Sequence, residues 1–141
     1  MDKLDPGVAQ QIAQAAISFQ QQRTGREPQS VAVVLSGETL LITLHGALSP
    51  AEKALAHSLA GAAWLQEFHR QLFADSAGAL RLKIKRITGA EVREATAEVE
   101  AVTGVMVQFF LLAWGVPADS WSGSGSGDRA RNGLLASLVL S

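Results

Sequence analysis

The sequence predicts an α+β fold: one antiparallel sheet of two β-hairpins with helices on one face, in the order α-β-β-α-α-β-β. Two β-rich runs, residues 31–36 and 39–45, flank the two-residue loop Gly37-Glu38, and a Gly-first loop of that length selects a type II′-like hairpin turn. A second pair of runs, residues 92–102 and 105–114, flanks Thr103-Gly104. Apolar residues at helical spacing precede the first pair and fill the segment between the two. Helices on one face are the economical packing for such a sheet.

The elements follow in chain order. Val8, Ile12, Ala15, Ala16 and Phe19 recur at helical spacing over residues 7–23, opposite a glutamine-rich face. Asp5-Pro6 is a fitting start, and Gly25 with Pro28 a fitting stop. Ser49-Pro50-Ala51-Glu52 reads as a capping box, the serine bonding the Glu52 amide and Glu52 reaching back to the Ser49 amide. Proline costs nothing in the first helical turn, where its missing donor would have no partner. A break falls at residues 58–61. A longer helix then spans about residues 60–87, with Leu65, Phe68, Leu72, Leu80, Ile84 and Ile87 on one side, and Thr88-Gly89 ends it. In the third strand Ala95, Ala97 and Val99 alternate with Glu94, Thr96, Glu98 and Glu100. In the fourth, both faces are apolar: Val105, Val107, Phe109 and Leu111 point one way, and Met106, Phe110 and Leu112 the other.

That fourth strand carries the expected binding surface. Helices from a chain this short can cover one sheet face, and an uncovered apolar face is a liability in a monomer. Met106, Phe110 and Leu112, joined by Leu41 and Val34, are therefore expected to form a peptide-binding surface or a homodimer contact. The alternative is a three-layer domain in which the first helix covers that face.

The C-terminal segment supplies the reason to expect a peptide. Ser122-Gly123-Ser124-Gly125-Ser126-Gly127 alternates strictly and contains nothing apolar, the composition of a flexible engineered linker. Residues 128–141 follow, with five large aliphatics in the seven residues 134–140. The expected organisation is thus a domain over 1–121, a linker over 122–127 and a tethered hydrophobic partner peptide over 128–141. A natural hinge or an incidental remnant is the alternative. Leu134 and Leu138, like Leu135 and Val139, stand at i, i+4. That spacing favours a short helical stripe capped at Asn132, and addition of an extended strand to a sheet edge is the second form. A six-residue linker spans at most ~20 Å, so the peptide docks near the end of the fourth strand or on a second copy.

Composition narrows the function. The 141 residues are 48% hydrophobic and 18% charged, with 12 basic and 13 acidic side chains, which gives no long-range field for nucleic acid. There is no cysteine, hence no disulfide or thiolate metal site. No run approaches the ~20 apolar residues of a membrane span. A cytoplasmic protein is expected, peripheral to a membrane at most through a partner and without direct insertion.

Candidate chemistry is sparse. His45, His57 and His69 include no i, i+4 pair of the kind a helical metal site uses, and Glu67 and His69 point to different helix faces. Ser49 lacks a nucleophile elbow, and capping accounts for it. No glycine-rich loop opens a helix as a phosphate cradle does. No catalytic residue, metal or cofactor is expected. Arg81, Lys83, Lys85 and Arg86 form a basic run at the end of the long helix, where cations complement the helix dipole. An acidic partner or anionic headgroups are its second reading.

Several of these pieces together resemble a known family. They are Phe19 with Thr24-Gly25-Arg26-Glu27-Pro28, then Leu44-His45-Gly46-Ala47-Leu48-Ser49-Pro50-Ala51-Glu52, then Phe68-His69-Arg70-Gln71-Leu72, then Ile87-Thr88-Gly89-Ala90-Glu91-Val92, and the Thr103-Gly104 turn. Over about residues 8–112 the chain resembles the MpsC-like proteins, a former domain of unknown function now described as a component of a sodium-translocating membrane-potential-generating system. The resemblance implies an accessory role beside a membrane system for ion or inorganic-carbon supply, with no assigned active site. The chain departs from the family at Glu98-Val99-Glu100-Ala101-Val102, where polar Ser, Thr and Lys are usual, and in a longer segment over 114–121, which points to a specialised partner. The leading expectation is a non-catalytic adaptor that binds a short hydrophobic segment of a partner protein. A small-molecule or ion sensor or small enzyme using the apolar sheet face as a pocket, and a purely structural homodimer, are the alternatives.

Overall fold

A computed structural model describes residues 7–115 and the backbone of residues 136–140. The linker over 122–127, and Asn132, Leu134 and Leu135, lie outside the described residues. The elements are α1 (Val8–Thr24), β1 (Ser30–Ser36), β2 (Thr39–His45), α2 (Pro50–Leu55), α3 (Leu59–Thr88), β3 (Val92–Glu100), β4 (Val105–Leu112) and β5 (Ala136–Leu140). Up to β4 this is the expected α-β-β-α-α-β-β order, an antiparallel sheet of two hairpins packed against helices.

Local chemistry explains the boundaries. Gly37 sits at φ 61 and among the described residues no non-glycine residue has positive φ, the pattern of a II′-type turn between β1 and β2. The capping box forms as expected: the Ser49 amide donates to Glu52 Oε1 at 2.8 Å and the Glu52 amide to Ser49 Oγ at 3.2 Å. Ser58 then caps α3 by accepting from the Gly61 amide at 2.9 Å. Gly61 is obligatory there, because a Cβ would lie 2.0 Å from the Leu55 carbonyl oxygen. Both long helices end on a Thr-Gly pair. Thr24 and Thr88 accept from the amides of Arg26 and Ala90 and donate to the carbonyls of Gln20 and Ile84.

The sheet runs β3-β4-β2-β1-β5. β2 and β4 pair antiparallel with Leu40 opposite Phe110, Leu41 opposite Phe109 and Leu44 opposite Met106. Strand partners share a face, so Leu40, Ile42 and Leu44 join Met106, Phe110 and Leu112. These six are buried, with Phe110 and Leu112 wholly inaccessible. Rings from both helices meet on that face: Phe73 of α3 lies 6.0 Å from Phe110 and 5.9 Å from Phe19 of α1.

The expected binding surface is thereby corrected. Met106, Phe110 and Leu112 are core, and no peptide or second copy can close on them. Val34 and Leu41 lie on the opposite face with Val107, Phe109 and Leu111, all half-buried. β4 is apolar at both parities except for Gln108, which is itself buried on the helix-covered face, so its sequence gives no correct sign of which face the helices take. The long-helix stripe is also corrected: Leu65, His69, Phe73, Ala77, Leu80 and Ile84 are buried, whereas Phe68 is 41% exposed and stacks on Trp64 at 5.1 Å.

This assignment of faces predicts that Phe110→Ala costs about 3–5 kcal/mol in urea denaturation, and Phe109→Ala roughly half of that or less. Equal losses would contradict it.

Candidate functional site

The tail forms a strand, not the favoured helix. β5 pairs antiparallel with β1, Leu138 standing opposite Val33 and Val139 opposite Ala32, over Val31–Leu35. The geometry suits a short tether. β4 ends beside the β1–β2 turn, where the Leu112 amide donates to the Glu38 carbonyl at 2.8 Å. β5 begins at that same end, Ala136 opposite Leu35. Three strand spacings, about 14 Å, separate the two.

The two outer strands of the four-stranded unit differ in character. β3 (Val92–Glu100) carries Arg93, Glu94, Glu98 and Glu100 and an irregularity between Val92 and Glu94. Charges and bulges are the devices that keep a sheet edge from pairing with another chain. β1 reads Ser-Val-Ala-Val-Val-Leu-Ser, with no charge, no proline and no register shift along β2 or β5. It carries none of these devices, and β5 pairs along its outer side. The sequence did hold this signal, in the contrast between the charge-free run at 31–36 and the glutamates at 94–100.

The remaining candidates are dispersed. His45 and His57 are exposed. His69 is buried and its Nε2 lies 2.8 Å from Glu52 Oε2, so its partner is the capping-box glutamate and not Glu67, which pairs with Arg70. Among the described residues no group of three His, Cys, Asp or Glu could hold a metal ion. Burial raises the Glu52 carboxyl, but the Ser49 amide and the His69 hydrogen bond and charge outweigh it and hold the group below its usual range. Glu52 thus ties α2 to the buried face of α3.

Beside His69, Gln108 is fully buried on β4 and its amide finds no hydrogen-bond partner among the described residues. Gln20 donates to the Met106 sulfur at 3.8 Å. The cavity these residues line with Arg23 and Phe73 measures about 10 Å³, the volume of a single water and too small for a metabolite.

The basic run divides in two. Arg81 donates to the carbonyls of Val92 and Arg93, and Lys85 pairs with Glu91 at 2.9 Å. Lys83 and Arg86 instead line the groove between α1 and α3.

Ser49→Ala should cost ~1 kcal/mol, the usual worth of an N-cap, and Glu52→Ala more, since it also strands His69. The Glu52 carboxyl has a lowered pKa in the folded state, so its contribution is present above the unfolded value near 4.5 and fades as pH falls through the folded one. The stability gap between wild type and Glu52→Ala should therefore narrow below about pH 4.5 in pH-dependent denaturation. A gap constant from neutral pH to strong acid would contradict this.

Comparison with known proteins places the chain. No curated protein and no solved structure matches it. No helix of the described residues is long and apolar enough to cross a membrane. The family model described as the Na+-translocating membrane potential-generating system (MpsC) matches residues 7–113, which take in α1 through β4 and leave β5 outside. The chain, through its helices and its two β-hairpins, belongs to the MpsC family.

Proposed function

We propose that this domain is a non-catalytic adaptor that captures a short hydrophobic segment of a partner protein as an added strand on the β1 edge. One observation carries the reading: β5 (Ala136–Leu140), which lies beyond the family match, completes the sheet on its single uncharged edge. Main-chain hydrogen bonds supply affinity in such strand addition, and side chains at alternate positions supply selectivity. The Gly/Ser alternation at 122–127 is an engineered tether, and residues 128–141 represent the partner. Tethering raises effective concentration to the mM range, which suits a peptide that binds weakly when free.

The family association supports a partner drawn from a membrane-associated ion system. The adaptor reaches the membrane through that partner. Charge alone on the exposed face of α3 is too weak to hold the domain at a membrane, each cation being worth ~1 kcal/mol near an anionic surface.

A chain ending at Trp121 should bind a synthetic 128–141 peptide at high micromolar concentration in calorimetry. Successive residues of a strand direct their amides to opposite sides, so of Ser137→Pro and Leu138→Pro one removes a hydrogen bond to β1 and should abolish binding, the other weakening it less. No heat from the parent peptide, or equal tolerance of both prolines, would overturn the reading.

A further inference from the structure

The groove between α1 and α3 combines features that no part of the adaptor reading uses. Two adjoining cavities of about 400 and 420 Å³ share Ala15, Ser18, Lys83 and Arg86 in their walls, a size that accommodates a small organic molecule. No carboxylate lines either one. Across the groove α1 contains no acidic residue along its whole length, its polar positions being glutamine, serine, threonine and Arg23. On the α3 side the last acidic residue is Asp75, and the one acid that answers the basic run, Glu91, is engaged by Lys85. Among the described residues Lys83 and Arg86 make no ion pair and no hydrogen bond.

Opposite charges three or four residues apart on a helix are stabilising and like charges at that spacing repel, and no acid stands at such a position to Lys83 or Arg86. Here the opposing helix offers amide and hydroxyl groups, which bond an anion's oxygens without neutralising the cations. Lys83 and Arg86 are three residues apart and so lie on one helix face, both lining the same wall. The guanidinium fork matches phosphate oxygens two at a time, and the ammonium adds a point charge. Beneath them Ala15 and, in one cavity each, Ile87 and Leu80 form an apolar floor.

We propose that this groove binds a phosphate-bearing anion, Lys83 and Arg86 holding the phosphate with Ser18 as a hydroxyl donor, and the apolar floor taking the body of the ligand. Convergence of two cations favours a dianionic group over a carboxylate. The same chemistry is offered by a soluble phosphate ester and by a phospholipid headgroup, and Leu82, 59% exposed beside Lys83, borders the groove mouth.

The test is an NMR titration of the full chain with glycerol 3-phosphate at fixed ionic strength, with chloride as the competing salt. A parallel arm measures cosedimentation with vesicles containing phosphatidic acid, whose headgroup is a phosphomonoester like glycerol 3-phosphate. Saturable amide shifts around Ser18, Lys83 and Arg86 are expected. Lys83→Ala and Arg86→Ala should each weaken binding about tenfold, the scale of one charged hydrogen bond, and Lys53→Ala on α2, which removes the same charge elsewhere, should leave it unchanged. Vesicle binding that disappears in the Lys83→Ala/Arg86→Ala variant would identify the headgroup as the source of the same phosphate. The proposal is overturned if neither arm shows saturable binding, or if Lys53→Ala weakens binding as much as Arg86→Ala.

Discussion

The pairing of β2 with β4 is the constraint on which the rest of the molecule depends. It joins two hairpins that are each marginal alone, and its register, Leu40 on Phe110 and Leu44 on Met106, decides which parity of each strand turns inward. Side chains alternate along a strand, so a slip of one residue would exchange the two faces entirely. With the register set, Phe73 can pack edge-on between Phe110 and Phe19, and the alanines of α1 at 9, 13 and 16, all wholly inaccessible, let that helix sit close. The same pairing puts β1 and β3 at the outside of the four-stranded unit.

Those two outer strands have opposite chemistry, and the proposed function rests on the difference. Glutamates and an irregular register keep β3 (Val92–Glu100) from recruiting another strand. β1 has neither device, and its outer amides and carbonyls would stay unpaired in the absence of a partner, a liability that native proteins seldom leave unmanaged. A fifth strand from the C-terminal segment resolves it. The α2–α3 junction is a separate stiffening device. Glu52 receives the Ser49 amide on one oxygen and His69 on the other, so one carboxylate both starts a short helix and fixes it to a long one.

Much of the fold was legible because local chemistry and global packing agree. The Ser49 capping box, the Gly37 turn, the Thr88-Gly89 stop and the alternation of Ala97 and Val99 with glutamates each encode a single outcome. The proposed edge left a trace in the charge-free run at 31–36, but the buried face of the sheet and the form of the tail were not legible, for identifiable reasons. Apart from the buried Gln108, β4 is apolar at both parities, so alternation could not distinguish Phe110 from Phe109, and only the helices above the sheet break the tie. His69 interrupts the apolar stripe of α3, and its satisfaction by Glu52, seventeen residues away, cannot be inferred from helix spacing. The aliphatic run that includes Leu138 and Val139 is short enough to suit a helix or a strand, and the choice falls to the vacant side of β1. The four basic residues at 81–86 read as one patch in sequence. Helical rotation sends Arg81 to the β3 carbonyls, Lys85 to Glu91, and the other two into the groove against α1.

Amide hydrogen exchange along β1 tests strand capture most directly. In an antiparallel sheet alternate residues of Val31–Leu35 donate to β2 and the rest to β5. In the full chain all of them should be protected. In a chain ending at Trp121 the β5-facing subset should exchange far faster while the β2-facing subset keeps its protection, and added 128–141 peptide should restore the difference. Protection along β1 that is indifferent to removal of the tail would contradict the account.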